Sequence, residues 1–330
     1  MKILVTGGAG FIGHHVIEKL LEETNCDIVS LDRLDVSGNL NRLADVLEKN
    51  PEWKERLDVV WHDLKAPLND YAIKKLGAVT HILHLAAGSH VDRSIEYPME
   101  FVMDNIVGTA NILDYARLHL ENSLDFFLYF STDEIFGPAP PGVFYDEDDR
   151  YRSGNPYSAT KAAAEELCIA YENTYKMPIL VSHTMNVFGN RQHPEKFIPL
   201  LIGNIRDGKR TYIHANADCT KAGTRHYVDA KDVSAAVLFL MDNGKPGEKY
   251  NIVGKEETDN LQLAQMIAGL MDKPLDYELV DHHSSRPGHD LRYALSGEKM
   301  RNLGWEPQKE LKERLRDVIM WSLENKEWLS

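Results

Sequence analysis

The chain has 330 residues, of which 43% are hydrophobic and 27% are charged, and its formal net charge is −14. This is an ordinary globular mixture, long enough for one or two domains, and the negative charge argues against general binding to nucleic acid. No apolar run is long enough to cross a membrane, and the three widely spaced cysteines suit a reduced cytoplasm and form no metal-ligand set. We therefore expect a cytoplasmic protein without a metal site, a membrane span or a nucleic-acid partner.

Short apolar runs and longer amphipathic segments alternate in the first half of the chain. The predicted strands cover residues 3–6, 28–32, 57–61, 81–85, 126–130 and 179–183. The predicted helices between them cover residues 11–21, 40–48, 68–76, 99–120 and about 157–175. This alternation is typical of βαβ units and predicts an α/β fold, a Rossmann-type doubly wound parallel sheet with helices on both faces.

The pattern changes after about residue 185, where glycine and proline interrupt shorter and less regular segments. Helices are predicted over residues 232–241, 261–271 and 311–324, because apolar residues recur there at helical spacing. We predict a Rossmann domain over residues 1–185, to which segments around 225–255 and 305–330 return. Residues 186–304 are then mainly a smaller mixed α/β domain that binds a substrate.

A glycine-rich turn lies between the first predicted strand and the first predicted helix. Glycine there permits a tight turn and close approach of a pyrophosphate, and the helix N-terminus offers free N–H groups and a favourable dipole. An ordinary turn without a ligand is the alternative, and the place of this turn between strand and helix argues against it. The residues expected to form the dinucleotide site are Gly7, Gly10, Phe11, Ile12 and Gly13.

Asp32 ends the second predicted strand, about 20 residues beyond the turn, as in NAD-binding sites. Its carboxylate can accept hydrogen bonds from the ribose hydroxyls of adenosine and repel a 2′-phosphate. We therefore expect the Rossmann domain to bind NAD, although Arg33 could shield a 2′-phosphate and leaves NADP open. Further cofactor contacts are expected from Asp63 and Leu64 after the third strand and from Ala86 after the fourth.

Tyr157 and Lys161 are four residues apart, so on a helix they share one face. A nearby ammonium and a positive nicotinamide ring both favour the tyrosinate, which makes the tyrosine a base for a hydroxyl proton. The pair follows Asn155 and Pro156, which can begin a helix after the fifth strand. We interpret it as a catalytic pair that also contacts the cofactor, and an ordinary helix pair is the alternative.

Thr132, Asp133 and Glu134 stand at the end of the fifth predicted strand. The carboxyl ends of parallel strands are where such sheets bind ligands. Thr132 can hydrogen-bond a reacting hydroxyl, and two carboxyls in different environments can divide the roles of acid and base. Elimination of water requires such a pair, whereas alcohol oxidation and C4 epimerisation do not. A solvated acidic turn is the alternative.

With these residues the chain resembles the extended short-chain dehydrogenase/reductases, specifically the dTDP-glucose 4,6-dehydratases, over nearly its whole length. The segments that carry the resemblance are GGAGFIG (7–13), SHVDRSI (89–95), STDE (131–134), NPYSATK (155–161), PEKFIP (194–199), RPGHDLRY (286–293) and LGW (303–305). The last two separate this family from the wider superfamily, which the tyrosine–lysine spacing alone does not.

The resemblance implies conversion of a nucleotide-activated hexose to its 4-keto-6-deoxy form, with dTDP-glucose as the favoured substrate. Tyr157, helped by Thr132 and Lys161, would take the C4 hydroxyl proton while C4 gives a hydride to NAD⁺. Glu134 would then take the C5 proton as Asp133 protonates the departing C6 hydroxyl. The hydride would return to C6, so that no net oxidation occurs.

The resemblance also implies contacts with the nucleotide sugar, in which arginine and lysine pair with the diphosphate. The matching positions are His90, Asn186, Glu195, Lys196, Arg225 and Arg286. It further implies a homodimer, formed through the helices that begin near Met99 and Tyr157.

The chain departs from the family at Gly88, where similar proteins usually have glutamate, and over residues 187–193 and 213–224. These departures leave the nucleotide base and the sugar open, with UDP-glucose and UDP-N-acetylglucosamine as alternative substrates. A UDP-hexose 4-epimerase, a decarboxylase and a non-catalytic NAD-binding protein are alternative functions. The adjacent carboxyls argue against the epimerase, and the intact Tyr157 and Lys161 argue against the non-catalytic protein.

Overall fold

The computed structural model describes residues 1–35, 37–281 and 291–329 of the chain. A parallel sheet of seven strands forms its centre. The six strands predicted from the sequence are confirmed, with ends shifted by no more than two residues. From one edge to the other the strands are Lys249–Ile252, Ile179–Thr184, Phe126–Thr132, His81–His84, Lys2–Thr6, Asp27–Asp32 and Leu57–Trp61.

The strand order reverses at Lys2–Thr6. The chain first builds outward through the second and third strands and then places His81–His84 on the other side of the first strand. Such a switch point leaves a crevice at the carboxyl ends of the two central strands, where open α/β sheets bind ligands. The glycine turn and residues 85–88 follow these two strands and border that crevice.

Alternate residues of the first strand face opposite layers of the core, as the two-residue period of a strand requires. Ile3 and Val5 join the apolar cluster on one face of the sheet, and Leu4 joins the cluster on the other. All three are fully buried, and each contributes roughly 1.5–3 kcal/mol through that burial. The predicted doubly wound fold is therefore confirmed.

Helices cover both faces. The helix predicted over residues 99–120 is interrupted, because Val102–Val107 forms π-helical turns within it. The described α-helices are Phe11–Glu23, Leu40–Lys49, Asp70–Leu76, Val91–Glu96, Pro98–Phe101, Gly108–His119, Pro156–Tyr175, Phe197–Asp207, Ala230–Asn243, Asn260–Leu270, Glu298–Leu303 and Leu311–Glu324. Shorter 3₁₀ turns are Pro51–Glu55, Asp133–Phe136 and Lys326–Leu329.

Two smaller sheets lie in the second half of the chain. One sheet consists of three strands in the order Glu257–Asp259, Thr224–Asp229 and Asn186–Phe188. The other consists of Tyr277–Asp281 and Thr211–Ala215, which pair in parallel. A third apolar cluster packs beside them, and it includes residues of the helices Phe197–Asp207, Asn260–Leu270 and Leu311–Glu324. This half also contributes the strand Lys249–Ile252 to the main sheet. Within the described ranges, no helix has the length and apolar character needed to cross a bilayer.

Candidate active site

The glycine turn takes its shape from contacts that leave no room for side chains. Gly7 has a positive φ of 70°, and its N–H donates to the Leu31 carbonyl at 2.8 Å. A Cβ on Gly13 would lie 2.1 Å from the Gly7 carbonyl oxygen, so the first helix can begin against the turn only with glycine there. Gly10 donates to the same carbonyl at 3.0 Å.

The first helix meets the turn with its N–H groups free of side-chain caps. Gly10 occupies the N-cap position without a side-chain hydrogen bond, and the first turn, which begins with Phe11 and Ile12, holds no acidic residue. Free N–H groups and the helix dipole together favour an anion at this end. The residues present therefore fit the pyrophosphate of a dinucleotide.

Asp32 ends the second strand beside this turn. Its two carboxylate oxygens accept from the backbone N–H of Ala9 at 3.1 Å and of Leu34 at 2.8 Å. Burial raises the pKa of Asp32, and these two hydrogen bonds oppose that shift. Each oxygen keeps a further lone pair, so the carboxylate fits two ribose hydroxyls.

The other predicted cofactor residues lie at the ends of the neighbouring strands. Ala86 donates from its backbone N–H to Thr6 Oγ1 at 3.1 Å, and its backbone lies 2.9 Å from where a Cβ on Gly7 would stand. Asp63 accepts from the N–H of Lys65 at 3.0 Å, and Leu64 is buried. The structure thus places the glycine turn, Asp32 and Ala86 around the crevice at the switch point, whereas Asp63 and Leu64 follow the edge strand Leu57–Trp61.

The long helix Pro156–Tyr175 carries Tyr157 and Lys161, both buried. Asn155 caps it, because its side-chain oxygen accepts from the backbone N–H of Ser158 at 2.8 Å. In return, the Ser158 side chain accepts from the backbone N–H of Asn155, which completes a capping box. Tyr157 is held at the start of this helix by Ser94, whose Oγ accepts from its backbone N–H at 3.1 Å.

Lys161 reaches back to the fifth strand. Its Nζ donates to the Phe130 carbonyl at 2.7 Å and lies 4.3 Å from the ring centroid of Tyr129. Burial lowers the pKa of Lys161 to about 8, while Cys168 and Glu165 act in the opposite direction. The ammonium is thus fixed behind the active-site surface rather than free in solvent.

Thr132, Asp133 and Glu134 follow one another at the end of the fifth strand. Thr132 Oγ1 donates to Asp133 Oδ1 at 3.0 Å. Asn155 Nδ2 donates to Glu134 Oε2 at 3.2 Å. The buried oxygen Oδ2 of Asp133 has no hydrogen-bond partner among the described residues, so this carboxyl can still bond a substrate group.

The environment of these groups shifts their pKa values in directions that suit proton transfer. Burial raises the pKa of Asp133 to about 6. Burial, followed by the charge of Asp133, raises the pKa of Glu134 to about 7. The charge of Arg225 lowers the pKa of both. Between these two pKa values the pair carries about one proton, and the higher pKa of Glu134 places that proton mainly on Glu134.

Tyr157 lies within the influence of the same carboxyls. Burial raises its pKa first, then the charge of Glu134, whereas a hydrogen bond with Thr132 lowers it. Its ring also packs edge-on against Phe101, with ring centroids 6.5 Å apart. The structure thus brings four of the predicted catalytic residues together, and the fifth, Lys161, lies one turn along the helix from Tyr157 with its Nζ on the Phe130 carbonyl.

Of the six predicted substrate residues, Lys196 and Arg225 influence the carboxyls. The charges of Arg225 and Lys196 both lower the pKa of Glu134. Arg225 Nη1 donates to the carbonyls of Thr224 and Leu291, both at 2.7 Å. Arg286 lies outside the described residues.

The remaining three predicted substrate residues lie nearer the surface or serve local structure. Glu195 is exposed, with Oε2 at 3.7 Å from Nδ1 of His193. Asn186 is exposed on its short strand. His90 caps the helix Val91–Glu96, where its Nδ1 accepts from the N–H of Arg93 at 3.4 Å.

Two asparagines connect parts of the site, and for Asn105 the sequence predicts a structural role near the active-site helix. The hydrogen bond from Asn155 to Glu134 was not predicted, because an asparagine before proline indicates only the start of a helix. Asn105 is buried and joins the loop after the fourth strand to the long helix. Its Nδ2 donates to Thr160 Oγ1 at 2.9 Å, and its Oδ1 accepts from the N–H of Gly88 at 2.8 Å.

The chain is similar to a known family along almost its full length. The family model described as GDP-mannose 4,6 dehydratase matches residues 4–318. A dTDP-glucose 4,6-dehydratase of Shigella flexneri is 37% identical, with 100% of this chain and 94% of that protein covered. The dTDP-glucose 4,6-dehydratase of Neisseria gonorrhoeae is also 37% identical, with 98% and 96% covered.

Solved structures give the same relationship. The dTDP-glucose 4,6-dehydratase of Bacillus anthracis in complex with NAD superposes with a TM-score of 0.87 at 31% identity, covering 99% of this chain and 98% of that one. DesIV, the dTDP-glucose 4,6-dehydratase of Streptomyces venezuelae, has a TM-score of 0.88 at 32% identity with the same coverage. The UDP-glucose 4-epimerase of Thermus thermophilus has a TM-score of 0.85 at 25% identity, with 97% and 98% covered.

Proposed function

The chain belongs to the nucleotide-sugar dehydratase family described as GDP-mannose 4,6 dehydratase, and on that premise we propose that it is an NAD-dependent dTDP-glucose 4,6-dehydratase. The reaction removes water across C5 and C6 of the hexose and leaves a ketone at C4. Relatives named for this activity span nearly the whole chain, which supports dTDP-glucose as the first substrate to test.

The observation that carries the proposal is a pair of adjacent carboxyls, buried Asp133 and half-buried Glu134, beside Thr132 and Tyr157. Bound NAD⁺ supplies the hydride acceptor for C4 oxidation and the hydride that later returns to C6. Tyr157 takes the C4 hydroxyl proton, Thr132 orients that hydroxyl, and buried Lys161 stabilises the tyrosinate through its positive charge.

The two carboxyls perform the elimination. Once C4 is a ketone, the proton on C5 is acidic enough for a carboxylate to remove. Glu134 takes that proton while Asp133, through the Oδ2 that has no partner among the described residues, protonates the C6 hydroxyl as it leaves; Glu134 then returns a proton to C5 when C6 accepts the hydride. The higher pKa of Glu134 leaves the shared proton mainly on that residue, so the choice of Glu134 as base and Asp133 as acid rests on the resemblance and not on these pKa shifts.

Substrate binding is proposed on the side of the carboxyls that faces Lys196 and Arg225. Both cations act on Glu134, so a diphosphate near them would place the hexose within reach of the elimination pair. Arg286, Asn186, Glu195 and His90 complete the proposed set on the basis of the resemblance.

We also propose a homodimer that functions in the cytoplasm. Apolar side chains Ile95, Tyr97, Met99 and Met103 are exposed on adjoining helical turns, and Tyr175 is exposed at the end of the long helix. A second copy of the chain could cover this surface, and a monomer in sedimentation at assay concentration would contradict it. The three cysteines are free, which suits a reducing compartment.

The direct test is mass spectrometry of dTDP-glucose, UDP-glucose and UDP-N-acetylglucosamine after incubation with the purified protein. We expect dTDP-glucose to lose one water without net formation of NADH. Loss of water from a uridine substrate instead would correct the nucleotide base. Unchanged mass for all three, with inversion at C4 of one, would replace the proposal with an epimerase.

A further inference from the structure

Arg33 follows Asp32 directly, where a nearby arginine accommodates the 2′-phosphate in NADP-binding sites. In the structure its guanidinium is already engaged by carboxylates. Nη1 and Nη2 donate in a fork to Oδ1 and Oδ2 of Asp104 at 2.5 and 2.9 Å. Nε donates to Asp35 Oδ2 at 2.6 Å. Bidentate pairs of this kind are among the stronger charge-assisted hydrogen bonds.

Asp104 also attracts a second cation of the same region. Lys65 Nζ lies 3.2 Å from its Oδ1. The side chain of Asp104 is 9% exposed, whereas those of Arg33 and Lys65 are 29% and 35% exposed, so the shared carboxylate is the part of this arrangement that is removed from solvent. Asp63 lies 3.9 Å from Arg33 and adds a further negative charge. With Asp32 adjacent, four carboxylates therefore accompany two cations in this region, and an entering phosphate would meet excess negative charge.

Gly88 provides the space for this carboxylate. A Cβ at Gly88 would stand 3.2 Å from Asp104 Oδ2 and 3.1 Å from the ring of Phe101. Both contacts are tighter than side chains normally make, so a larger residue would press on the carboxylate that holds Arg33. The departure from the family at Gly88 thus has a physical reason in this chain.

We propose that Asp104 is a specificity-determining residue, which restricts the chain to NAD by engaging the two cations, Arg33 and Lys65, that would otherwise bind a 2′-phosphate. The inference rests on the proposed use of NAD. It assigns selectivity to a residue of the π-helical turns Val102–Val107 in addition to the acid that ends the second strand.

Direct binding tests the inference without reliance on catalysis. Dissociation constants of NADH and NADPH are measured by fluorescence titration of cofactor-free wild type and Asp104→Asn, whose amide keeps the shape and removes the charge. We expect the variant to reduce the preference for NADH over NADPH by roughly ten- to hundredfold, mainly through tighter NADPH binding. Its melting temperature should stay near that of wild type.

The double variant Asp104→Asn/Arg33→Ala is the matched control, and it should lose most of the gain in NADPH binding because the freed guanidinium is gone. An unchanged preference in folded Asp104→Asn would overturn the inference, as would a gain that survives without both Arg33 and Lys65. A protein that prefers NADH and shows these shifts but dehydrates no sugar would support the inference while overturning the proposed reaction. Failure of both dinucleotides to bind would overturn both.

Discussion

The side-chain amide of Asn155 joins two parts of the active site. Its Nδ2 donates to Glu134 Oε2 at 3.2 Å, and its Oδ1 accepts from the N–H of Ser158 at 2.8 Å. The same side chain therefore begins the helix that carries Tyr157 and orients the proposed C5 base. The bond to Glu134 also favours its ionised form and lowers its pKa against the effect of burial.

Asn155→Ser separates these two roles, because serine is a good N-cap but is too short to retain the contact with Glu134. We expect its free energy of unfolding to stay within about 0.5 kcal/mol of wild type while kcat falls roughly tenfold. The limb of the pH–rate profile that belongs to Glu134 should move to higher pH. An unchanged profile, or a loss of activity explained by unfolding, would assign Asn155 to helix capping alone.

Asp133→Asn and Glu134→Gln should interrupt elimination after C4 oxidation. If Glu134 is the C5 base, Glu134→Gln should lose exchange of the C5 proton with deuterated solvent, and turnover should fall roughly 10²–10⁴-fold. Asp133→Asn should retain some exchange while it fails to release water. Nuclear magnetic resonance of the sugar measures both. The reverse pattern would exchange the roles of the two carboxyls, and full turnover in both variants would exclude this mechanism.

The raised pKa values predict that the elimination pair destabilises the fold at high pH. A carboxyl whose pKa rises on folding contributes stability that is present below its unfolded pKa, about 4, and is lost as the pH rises through the folded pKa. For Glu134 that folded pKa is about 7. Glu134→Gln should therefore be more stable than wild type at pH 8, by roughly 1–3 kcal/mol, and much less so at pH 5.

Urea unfolding at the two pH values measures this difference. Glu195→Gln is the control, because the side chain of Glu195 is 72% exposed and its neutralisation should change stability little at either pH. An advantage of Glu134→Gln that is equal at pH 5 and pH 8 would show that burial of the charge is not its cause.

A buried ion pair joins the last long helix, Leu311–Glu324, to the helix Ala230–Asn243. Arg314 donates from Nε and Nη2 to Asp232 at 2.9 and 2.5 Å, and the two side chains are 8% and 2% exposed. Arg314→Met leaves the carboxylate buried and uncompensated, so we expect a loss of roughly 3–5 kcal/mol in urea unfolding. Arg314→Met/Asp232→Asn should recover much of it, and a loss below about 1 kcal/mol in the single variant would contradict this view.

Much of the fold follows from local sequence. The strand Phe126–Thr132 is buried at all seven positions, and such apolar runs between helical patterns identify a parallel sheet. The spacing of Tyr157 and Lys161 and the place of the glycine turn likewise depend on neighbours in the chain. These features could therefore be predicted without knowledge of the tertiary contacts.

The remainder depends on contacts between distant segments. Lys249–Ile252 is a four-residue strand that pairs with Ile179–Thr184, and so short a run carries little periodicity of its own. The helix Phe197–Asp207 was not predicted, and Pro199 near its start is one reason, although proline is tolerated in the first turn. Arg33 indicated NADP as an alternative because Asp104, 71 residues away, gives no sequence signal of pairing with it.

The most direct test of the proposed reaction follows a single hydrogen atom. Incubation of dTDP-glucose deuterated at C4 with the protein, analysed by nuclear magnetic resonance and mass spectrometry, reports where that deuterium goes. We predict a product lighter by one water that carries the deuterium on C6, because the hydride leaves C4 and returns within the same site. Recovery of the sugar at its original composition with deuterium still on C4 would contradict the account.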